Sequence, residues 1–320
     1  MTGPARVVAI VGPTGAGKSA LAMNLARELG AGIACCDSAQ VFRGMDIGTA
    51  KPSASERALV SHSLLDLVEP DENFSAADYG ERLSAMVGER EADSLVVGGT
   101  GFYLRSALWT MTPLPEDATG DGAGRAAFDA MWQDRERGNP GAIHDALAAV
   151  DPAAACEIHP RNLVRALRAL WLCDVHGEAV SDVRRRSPPV RRLMALLILV
   201  DPGVETVDAS INARCDAMLA QGWVAEVENL RARGYAPGLK SMQTLGYRQI
   251  NAALDGAFSM DEARHDIAAQ TRAYARRQRT FFRHQFQEEA RIDVGAKALG
   301  SNELISLAGR CRDFISGETP

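Results

Sequence analysis

The sequence contains no apolar run that approaches the roughly 18 residues of a membrane-spanning helix. Its six cysteines form no C-x-x-C pair and have no metal-ligand spacing, which argues against a structural zinc site and a dithiol redox motif. The first apolar segment begins after only six residues, so we expect no secretory signal. These absences predict a reduced, cytoplasmic protein without a membrane partner, and we expect a monomer.

An excess of basic residues is also absent, since the net charge is −6. The charge is uneven: residues 1–150 carry 12 basic and 20 acidic residues, whereas residues 151–320 carry 23 and 21. Much of the basic charge is clustered in residues 184–192 and 272–283. Basic clusters on an acidic chain predict a site for one particular polyanion rather than general nucleic-acid binding.

A phosphate-binding loop stands near the N-terminus. The apolar run Val7–Val11 leads into Gly12-x-x-x-x-Gly17-Lys18-Ser19, and an apolar face at helical spacing follows. Glycines let the backbone curve around an anion, and the helix N-terminus adds free N–H groups. In this pattern the lysine neutralises the outer phosphates and the serine hydroxyl binds Mg²⁺, here Lys18 and Ser19. The predicted phosphate-binding residues are Gly12, Pro13, Thr14, Gly15, Ala16, Gly17, Lys18 and Ser19, with Ser19 also the predicted metal ligand.

Alternating strand and helix patterns predict an α/β fold, a parallel sheet of the P-loop NTPase type flanked by helices. Further strands are predicted at 32–36, 63–67, 94–97 and 192–200. From about residue 112 the composition shifts to Pro, Gly, Asp and Thr, and helical patterns follow up to about 186. We therefore predict core segments 1–111 and 188–320, the latter with basic C-terminal helices, around an all-helical insert at 112–187.

Asp37 ends the second predicted strand and begins a polar, Gly-containing segment that extends to Pro52. Ligands of open α/β sheets bind at this end of the strands. Since the strand after the loop helix commonly neighbours the first strand, we expect Asp37 near the phosphates. A general base, a Mg²⁺ ligand and a helix-capping carboxylate are all compatible with the pattern.

The carboxylate that usually supports Mg²⁺ in phosphoryl-transfer enzymes is missing, because the strand at 94–97 runs into Gly98-Gly-Thr-Gly101. Asp201 does follow an apolar strand, but Pro202 comes next, and we interpret it as a turn residue. A conventional ATPase is therefore a poor fit.

A basic row lies on one face of the last long predicted helix: Arg272, Arg276, Arg279 and Arg283. The row either follows a phosphate backbone or is a solvated basic face, with Phe281 and Phe282 toward the core. The pattern alone indicates a surface salt bridge for Arg214 and packing for Trp171.

Several motifs together resemble one family, the tRNA dimethylallyltransferases (bacterial-type tRNA isopentenyltransferases). They are Gly12–Ser19, Asp37–Pro52, Gly98-Gly-Thr-Gly-Phe-Tyr-Leu104, Ile158-His-Pro160 before Arg165-x-x-Arg168, Gly246-Tyr-Arg248 and Arg277-Gln-x-Thr280. The resemblance extends from residue 7 to about 283.

The resemblance implies transfer of a dimethylallyl group from dimethylallyl diphosphate to the N6 amine of the tRNA adenosine just 3′ of the anticodon, with Mg²⁺. The loop would then hold a diphosphate leaving group, which accounts for the missing strand carboxylate. By the same resemblance the catalytic residues are Asp37, Thr14 and Arg214. Asp37 takes the proton of the amine, Thr14 lies near the bridging oxygen, and Arg214 binds the diphosphate.

The resemblance also implies a set of residues that contact the anticodon stem-loop of tRNA: Asp37, Ser38, Ala39, Gln40, Thr100, Arg125, Val164, Arg165, Ala166, Leu167, Arg168, Gln243, Thr244, Leu245, Gly246, Tyr247, Arg248, Arg276, Arg277 and Arg279. The chain departs from the family pattern at several positions in or near this set, among them Ala39 for Met, Phe42 for Tyr and Arg276 for Lys. Val164 stands where Gln is usual, Gln243 where a basic residue is usual, and Trp171 where Glu is usual.

Two alternatives remain open beside prenyl transfer. A nucleotide-binding or small-molecule kinase would use ATP on the same loop. A non-catalytic, nucleotide-gated RNA-binding protein would retain its function after replacement of Asp37.

Overall fold

The computed structural model describes residues 4–88, 95–111, 123–295 and 299–317. The chain forms two compact units, Met1–Trp109 with Arg191–Pro320, and Thr110–Val190. Each is described by itself. The composition shift that predicts an exit from the core, at 112–124, lies almost entirely outside the described residues.

The first unit contains one sheet of six described strands, all paired in parallel. They are β1 (Ala5–Val11), β2 (Ile33–Cys36), β3 (His62–Ser63), β4 (Leu95–Gly98), β5 (Leu193–Val200) and β6 (Ala290–Val294). Their order across the sheet is β3-β2-β4-β1-β5-β6. This confirms the predicted α/β class, because a parallel sheet needs helical crossovers between its strands.

The described residues contain fourteen helices: α1 (Lys18–Leu29), α2 (Ala54–Leu59), α3 (Ala76–Gly88), α4 (Gly101–Leu108), α5 (Ala123–Gly138), α6 (Ala142–Val150), α7 (Pro152–Glu157), α8 (Leu163–His176), α9 (Val180–Arg186), α10 (Val204–Ala220), α11 (Trp223–Ala232), α12 (Tyr247–Leu254), α13 (Met260–His284) and α14 (Ser301–Ser316). None of these helices is long and apolar enough to cross a membrane.

Two details of the predicted sheet are wrong. β2 does not neighbour β1, because β4 lies between them. Asp37 nevertheless lies at the carboxyl edge, since every strand points the same way. β3 is shorter than the predicted 63–67, because Leu64 and Asp66 have φ values of 59° and 51°, outside the extended region.

The strand β1 divides the core of the first unit into two layers. Val7, Ala9 and Val11 belong to one buried cluster, whereas Val8 and Ile10 belong to the other. This alternation is the two-residue period of a strand that is covered on both faces. The carboxyl end of β1, where the phosphate-binding loop begins, is therefore fixed from both sides.

The second unit consists, in its described part, of helices α5 to α9 around their own apolar cluster. Trp171 belongs to this cluster and is 8% exposed, in agreement with the packing role predicted for it. Asp151 is fully buried, and its carboxylate accepts the Ala154 N–H and the Ser181 hydroxyl at 2.9 and 2.7 Å.

Each arginine of the basic row on α13 has a partner within the protein, which corrects the prediction of a purely solvated basic face. Arg279 is buried and donates to both carboxylate oxygens of Asp201 at 2.6–3.0 Å, and Arg283 reaches the same carboxylate at 3.1 Å. Arg276 pairs with Asp208 at 2.9 Å, and Arg272 donates to Asn212 at 2.7 Å. Most of the row therefore faces α10 and the end of β5.

Asp201 also does more than close a turn. It accepts the Gly203 N–H at 3.3 Å, as a turn residue would, but its main partners are on α13. Burial acts to raise the pKa of Asp201, yet the hydrogen bonds from Arg279 and Gly203 and the nearby guanidinium charges hold that pKa below its usual value.

We expect Asp201→Ala to lower the free energy of unfolding by about 3 kcal/mol at pH 7, because Arg279 would be left as a buried cation without a partner. Asp208→Ala is the matched control and should cost less than about 1 kcal/mol, since Arg276 is exposed. Urea unfolding measures both. The Asp201 contribution should be present above pH 4 and fade as the pH falls through its lowered pKa. Equal losses in the two variants would contradict the proposed difference.

Candidate active site

The phosphate-binding loop is held in shape by a close backbone approach. Gly12 has a φ of 143°, and a Cβ at this position would lie 2.2 Å from the carbonyl oxygen of Val200 in β5. Only glycine fits there. Beyond the loop, α1 begins at Lys18, whose Nζ donates to the Pro13 carbonyl at 2.8 Å. The Lys18 side chain thus folds back onto the loop that precedes it.

The electrostatics of the loop favour an anion. Burial and the charge of Arg214 lower the pKa of Lys18 to about 8, and the charge of Asp37 offsets this only in part. Burial likewise lowers the pKa of Arg214. Within the described residues, Arg214 forms no salt bridge. Two desolvated cations beside one carboxylate would both be stabilised by a phosphate group.

Two cavities meet at the carboxyl edge of the sheet. The first, of about 900 Å³, is lined by Lys18 and Ser19, and the second, of about 340 Å³, by Arg248 and Arg277. The residues that line both are Thr14, Asp37, Thr49, Arg214, Met218 and Tyr274. The three residues expected to be catalytic, Asp37, Thr14 and Arg214, are therefore brought together at the wall between the cavities.

Asp37 is oriented by its own loop. It directly follows β2, is half-buried, and accepts the Ala39 N–H on Oδ1 at 2.8 Å. Burial, followed by the charge of Asp37, raises the pKa of Tyr274 to about 12. Tyr274 therefore remains a neutral hydroxyl donor beside the carboxylate at physiological pH.

Gln278 is a site residue to which the sequence motifs assigned no role. Its side chain is 7% exposed, and Oε1 accepts the Thr14 N–H at 2.8 Å. Its Nε2 donates to the Gly99 carbonyl at 2.9 Å. One amide therefore ties the phosphate-binding loop to the end of β4. Its place in the Arg277-Gln-x-Thr280 motif was a signal, but its partners are 179 and 264 residues away.

The segment 37–52 is anchored from α11. Glu226 accepts the N–H groups of Asp46, Ile47 and Gly48 at 2.9, 2.7 and 3.3 Å, and the Tyr247 hydroxyl at 2.6 Å. Tyr247 is fully buried, and burial with the charge of Glu226 raises its pKa. Tyr247 therefore supports the segment and does not present its side chain to a tRNA, which corrects its expected role.

The other residues of the first unit that were expected to meet tRNA differ in exposure. The exposed residues are Ser38, Gln243, Arg248, Arg276 and Arg277. The partly buried residues are Ala39, Gln40, Thr100, Thr244 and Leu245, and the buried ones are Gly246 and Arg279. The Ser38 N–H donates to the Thr100 hydroxyl at 3.0 Å, which links two of them. Gln40 instead turns inward and donates to the carbonyls of Thr49 and Ala50. Buried Arg279, paired with Asp201, cannot also bind a phosphate backbone.

In the second unit the expected residues also separate by burial. Val164 is 81% exposed and Arg165 is exposed, both in the first turn of α8. Ala166 and Leu167 are buried in the cluster of this unit, so their side chains cannot contact a partner, which corrects that expectation. Arg125 and Arg168 each stack on the Trp171 ring, at 4.8 and 4.7 Å from its centre.

Comparison with known proteins places these features in context. The family model described as IPP transferase matches residues 40–285. A tRNA dimethylallyltransferase of Geobacter sulfurreducens is 40% identical over 284 residues, which cover 87% of this chain and 89% of the relative. One of Syntrophobacter fumaroxidans is 43% identical over 284 residues, covering 87% of this chain and 80% of the relative.

Solved structures give the same result. The tRNA isopentenylpyrophosphate transferase of Bacillus halodurans is similar with a TM-score of 0.66 and 30% identity, covering 98% of this chain and 97% of that one. A eukaryotic dimethylallyltransferase acting on tRNA is similar with a TM-score of 0.78 and 22% identity, covering 98% and 80%. The second likeness concerns the fold alone.

We expect Gln278→Ala to weaken binding of inorganic diphosphate about tenfold, because the Thr14 N–H and the Gly99 carbonyl would lose their partner. Gln278→Glu keeps the acceptor but loses the donor, so its effect should be intermediate. Titration calorimetry with Mg²⁺ measures the affinities. Gln243→Ala is the control, because this exposed glutamine donates to the Pro237 carbonyl and should leave binding unchanged. Undiminished binding in Gln278→Ala would show that the amide is dispensable.

The pKa of Lys18 predicts how diphosphate binding depends on pH. With a pKa of about 8, the charged fraction of free Lys18 falls about tenfold between pH 7 and 9. We therefore expect the ratio of the affinities of the unaltered chain and Lys18→Met to shrink by about that factor over this range. Taking the ratio cancels the titration of the ligand. A constant ratio would place the pKa of Lys18 well above 9.

Proposed function

This chain belongs to the IPP transferase family and is a transferase, and we propose that it moves a dimethylallyl group from dimethylallyl diphosphate to the N6 amine of the adenosine 3′-adjacent to the anticodon of tRNA. The kinase alternative is not favoured, because the matched relatives are named for dimethylallyl transfer to tRNA and β4 ends in Gly98 rather than a carboxylate. The same names, which are those of enzymes, disfavour a non-catalytic RNA-binding protein.

One observation carries the proposal: Asp37, Thr14 and Arg214 line both cavities where they meet. A diphosphate on the loop in the first cavity would point its ester oxygen toward Thr14. An adenine that enters through the second cavity would bring its amine to Asp37. The two substrates would then face each other across this wall, which is the arrangement that a direct transfer needs.

The chemistry follows from the charges at the wall. The bond between the allylic carbon and the diphosphate oxygen breaks, the bond from N6 to that carbon forms, and the N6 proton passes to Asp37. Negative charge grows on the leaving diphosphate while the carbon becomes cation-like. Lys18, Arg214 and the loop N–H groups are already in place to stabilise that charge, which lowers the barrier.

A Mg²⁺ ion fits this site only together with the diphosphate. Ser19 lines the first cavity in the first turn of α1, whereas no group of three His, Cys, Asp or Glu side chains suited to a metal occurs among the described residues. Mg²⁺ commonly binds through phosphate oxygens, waters and one or two protein ligands. Ser19 would hold the ion, which would neutralise part of the diphosphate charge.

We assign tRNA contacts to the exposed members of the expected set. In the first unit these are Ser38, Gln243, Arg248, Arg276 and Arg277, and in the second Val164, Arg165 and Arg168. Val164 replaces a hydrogen-bonding residue, so it contributes apolar contact only. The target base has to leave the stack of the anticodon loop to reach Asp37, at a cost of a few kcal/mol that is smallest in a loop.

The first experiment combines Mg²⁺, unmodified tRNA and radiolabelled dimethylallyl diphosphate, with and without ATP. We expect label on the tRNA irrespective of ATP, and loss of label when the target adenosine is replaced by guanosine. ATP consumption without label on the tRNA would refute the proposal and favour the kinase.

We expect Asp37→Asn to lose at least about a hundredfold in turnover while its tRNA affinity stays unchanged. Asparagine can still accept the Ala39 N–H, so the loop should keep its shape. Single-turnover rates and filter binding measure the two quantities. Asp216→Asn is the control, because Asp216 is an exposed carboxylate of α10 paired with Arg264. Near-normal turnover in Asp37→Asn would remove Asp37 from the proton transfer.

A further inference from the structure

Phe102 is an aromatic side chain on the surface. It is 52% exposed, and every other phenylalanine, tyrosine and tryptophan among the described residues is buried or only partly exposed. The other large apolar side chains with comparable exposure are aliphatic or methionine. An exposed aromatic ring on a protein that binds an unpaired nucleic-acid loop is a candidate stacking surface.

The ring is supported from behind by an aromatic layer. Its centre lies 5.3 Å from that of Phe281, with the planes tilted by 44°. Phe281 in turn packs on Phe282 and Phe286, each at 5.9 Å. A Cβ at Gly101 would lie 2.2 Å from the Phe281 ring, so Phe281 lies directly on the backbone at the start of α4. This layer restricts the position of the Phe102 ring.

Phe102 is also close to residues that line the second cavity. It comes two residues after Thr100, whose hydroxyl accepts the N–H of Ser38, the residue that follows Asp37. On the other side, Arg277 precedes Phe281 by one turn of α13 and is exposed. Arg277 lines the second cavity, the one assigned to the adenine. Arg277 and Ser38 thus line that cavity, and Phe102 is linked to it through Phe281 and Thr100.

We propose that Phe102 stacks on the unpaired anticodon-loop base next to the target adenosine and holds the loop open while the target is flipped. Removing the target from the stack exposes a face of its neighbour, and an aromatic ring can cover that face at a gain of a few-fold to about a hundredfold in affinity per base. The inference rests on the proposed function, and Arg277 would bind the adjoining phosphate.

The test compares Phe102→Leu, Phe102→Trp and Ile305→Ala with the unaltered chain. Leucine keeps apolar contact with Phe281 but has no ring to stack, tryptophan keeps a ring, and Ile305 is a similarly exposed apolar residue on α14. We expect Phe102→Leu to raise the KM for tRNA about tenfold, with the KM for dimethylallyl diphosphate and the melting temperature unchanged. Phe102→Trp and Ile305→Ala should behave like the unaltered chain.

A second measurement reports stacking directly. An anticodon stem-loop RNA carries 2-aminopurine on one side of the target or on the other, and stacking quenches its fluorescence. We expect the unaltered chain to keep one of the two probes quenched and Phe102→Leu to release it. An unchanged KM for tRNA and unchanged fluorescence in Phe102→Leu, with label still transferred by the unaltered chain, would refute the stacking role alone. Failure of the unaltered chain to label tRNA would instead refute the proposed function.

Discussion

The burial of two cations beside one carboxylate is the constraint on which this site depends. Burial lowers the pKa of both Lys18 and Arg214, and the charge of Asp37 offsets only part of that effect. Such an arrangement is unfavourable unless an anion completes it. In the proposed reaction a bound diphosphate would do so, and it would gain further negative charge as it leaves. The same two cations that are costly to bury would therefore stabilise the negative charge of the leaving group.

The long helix α13 gives that arrangement its geometry. Arg279 fixes it to Asp201 at the end of β5, and Gln278, one residue earlier, holds the phosphate-binding loop. Arg277 and Phe281 of the same helix reach the side assigned to tRNA. One rigid element thus carries both halves of the site. A displacement of α13 would alter the loop and the tRNA-facing surface together.

Local patterns predicted the fold class, the phosphate-binding loop and Asp37, because these depend on residues that are close in sequence. The order of the strands was not predictable in the same way, since β4 enters between β2 and β1 from more than eighty residues along the chain. Helical spacing placed four arginines on one face but could not show that Asp201 and α10 lie opposite it. Likewise, the motifs around Ala166 and Tyr247 mark important positions without distinguishing a contact from its buried support.

The approach of Gly12 to β5 has a consequence for how this sequence can change. The atom that a side chain would meet at this position is a backbone carbonyl, that of Val200, and not another side chain. A clash between side chains can be relieved by a smaller partner elsewhere, but every amino acid carries the same carbonyl. No second-site substitution can therefore make room, and the position is closed to compensatory evolution for as long as β5 remains beside β1.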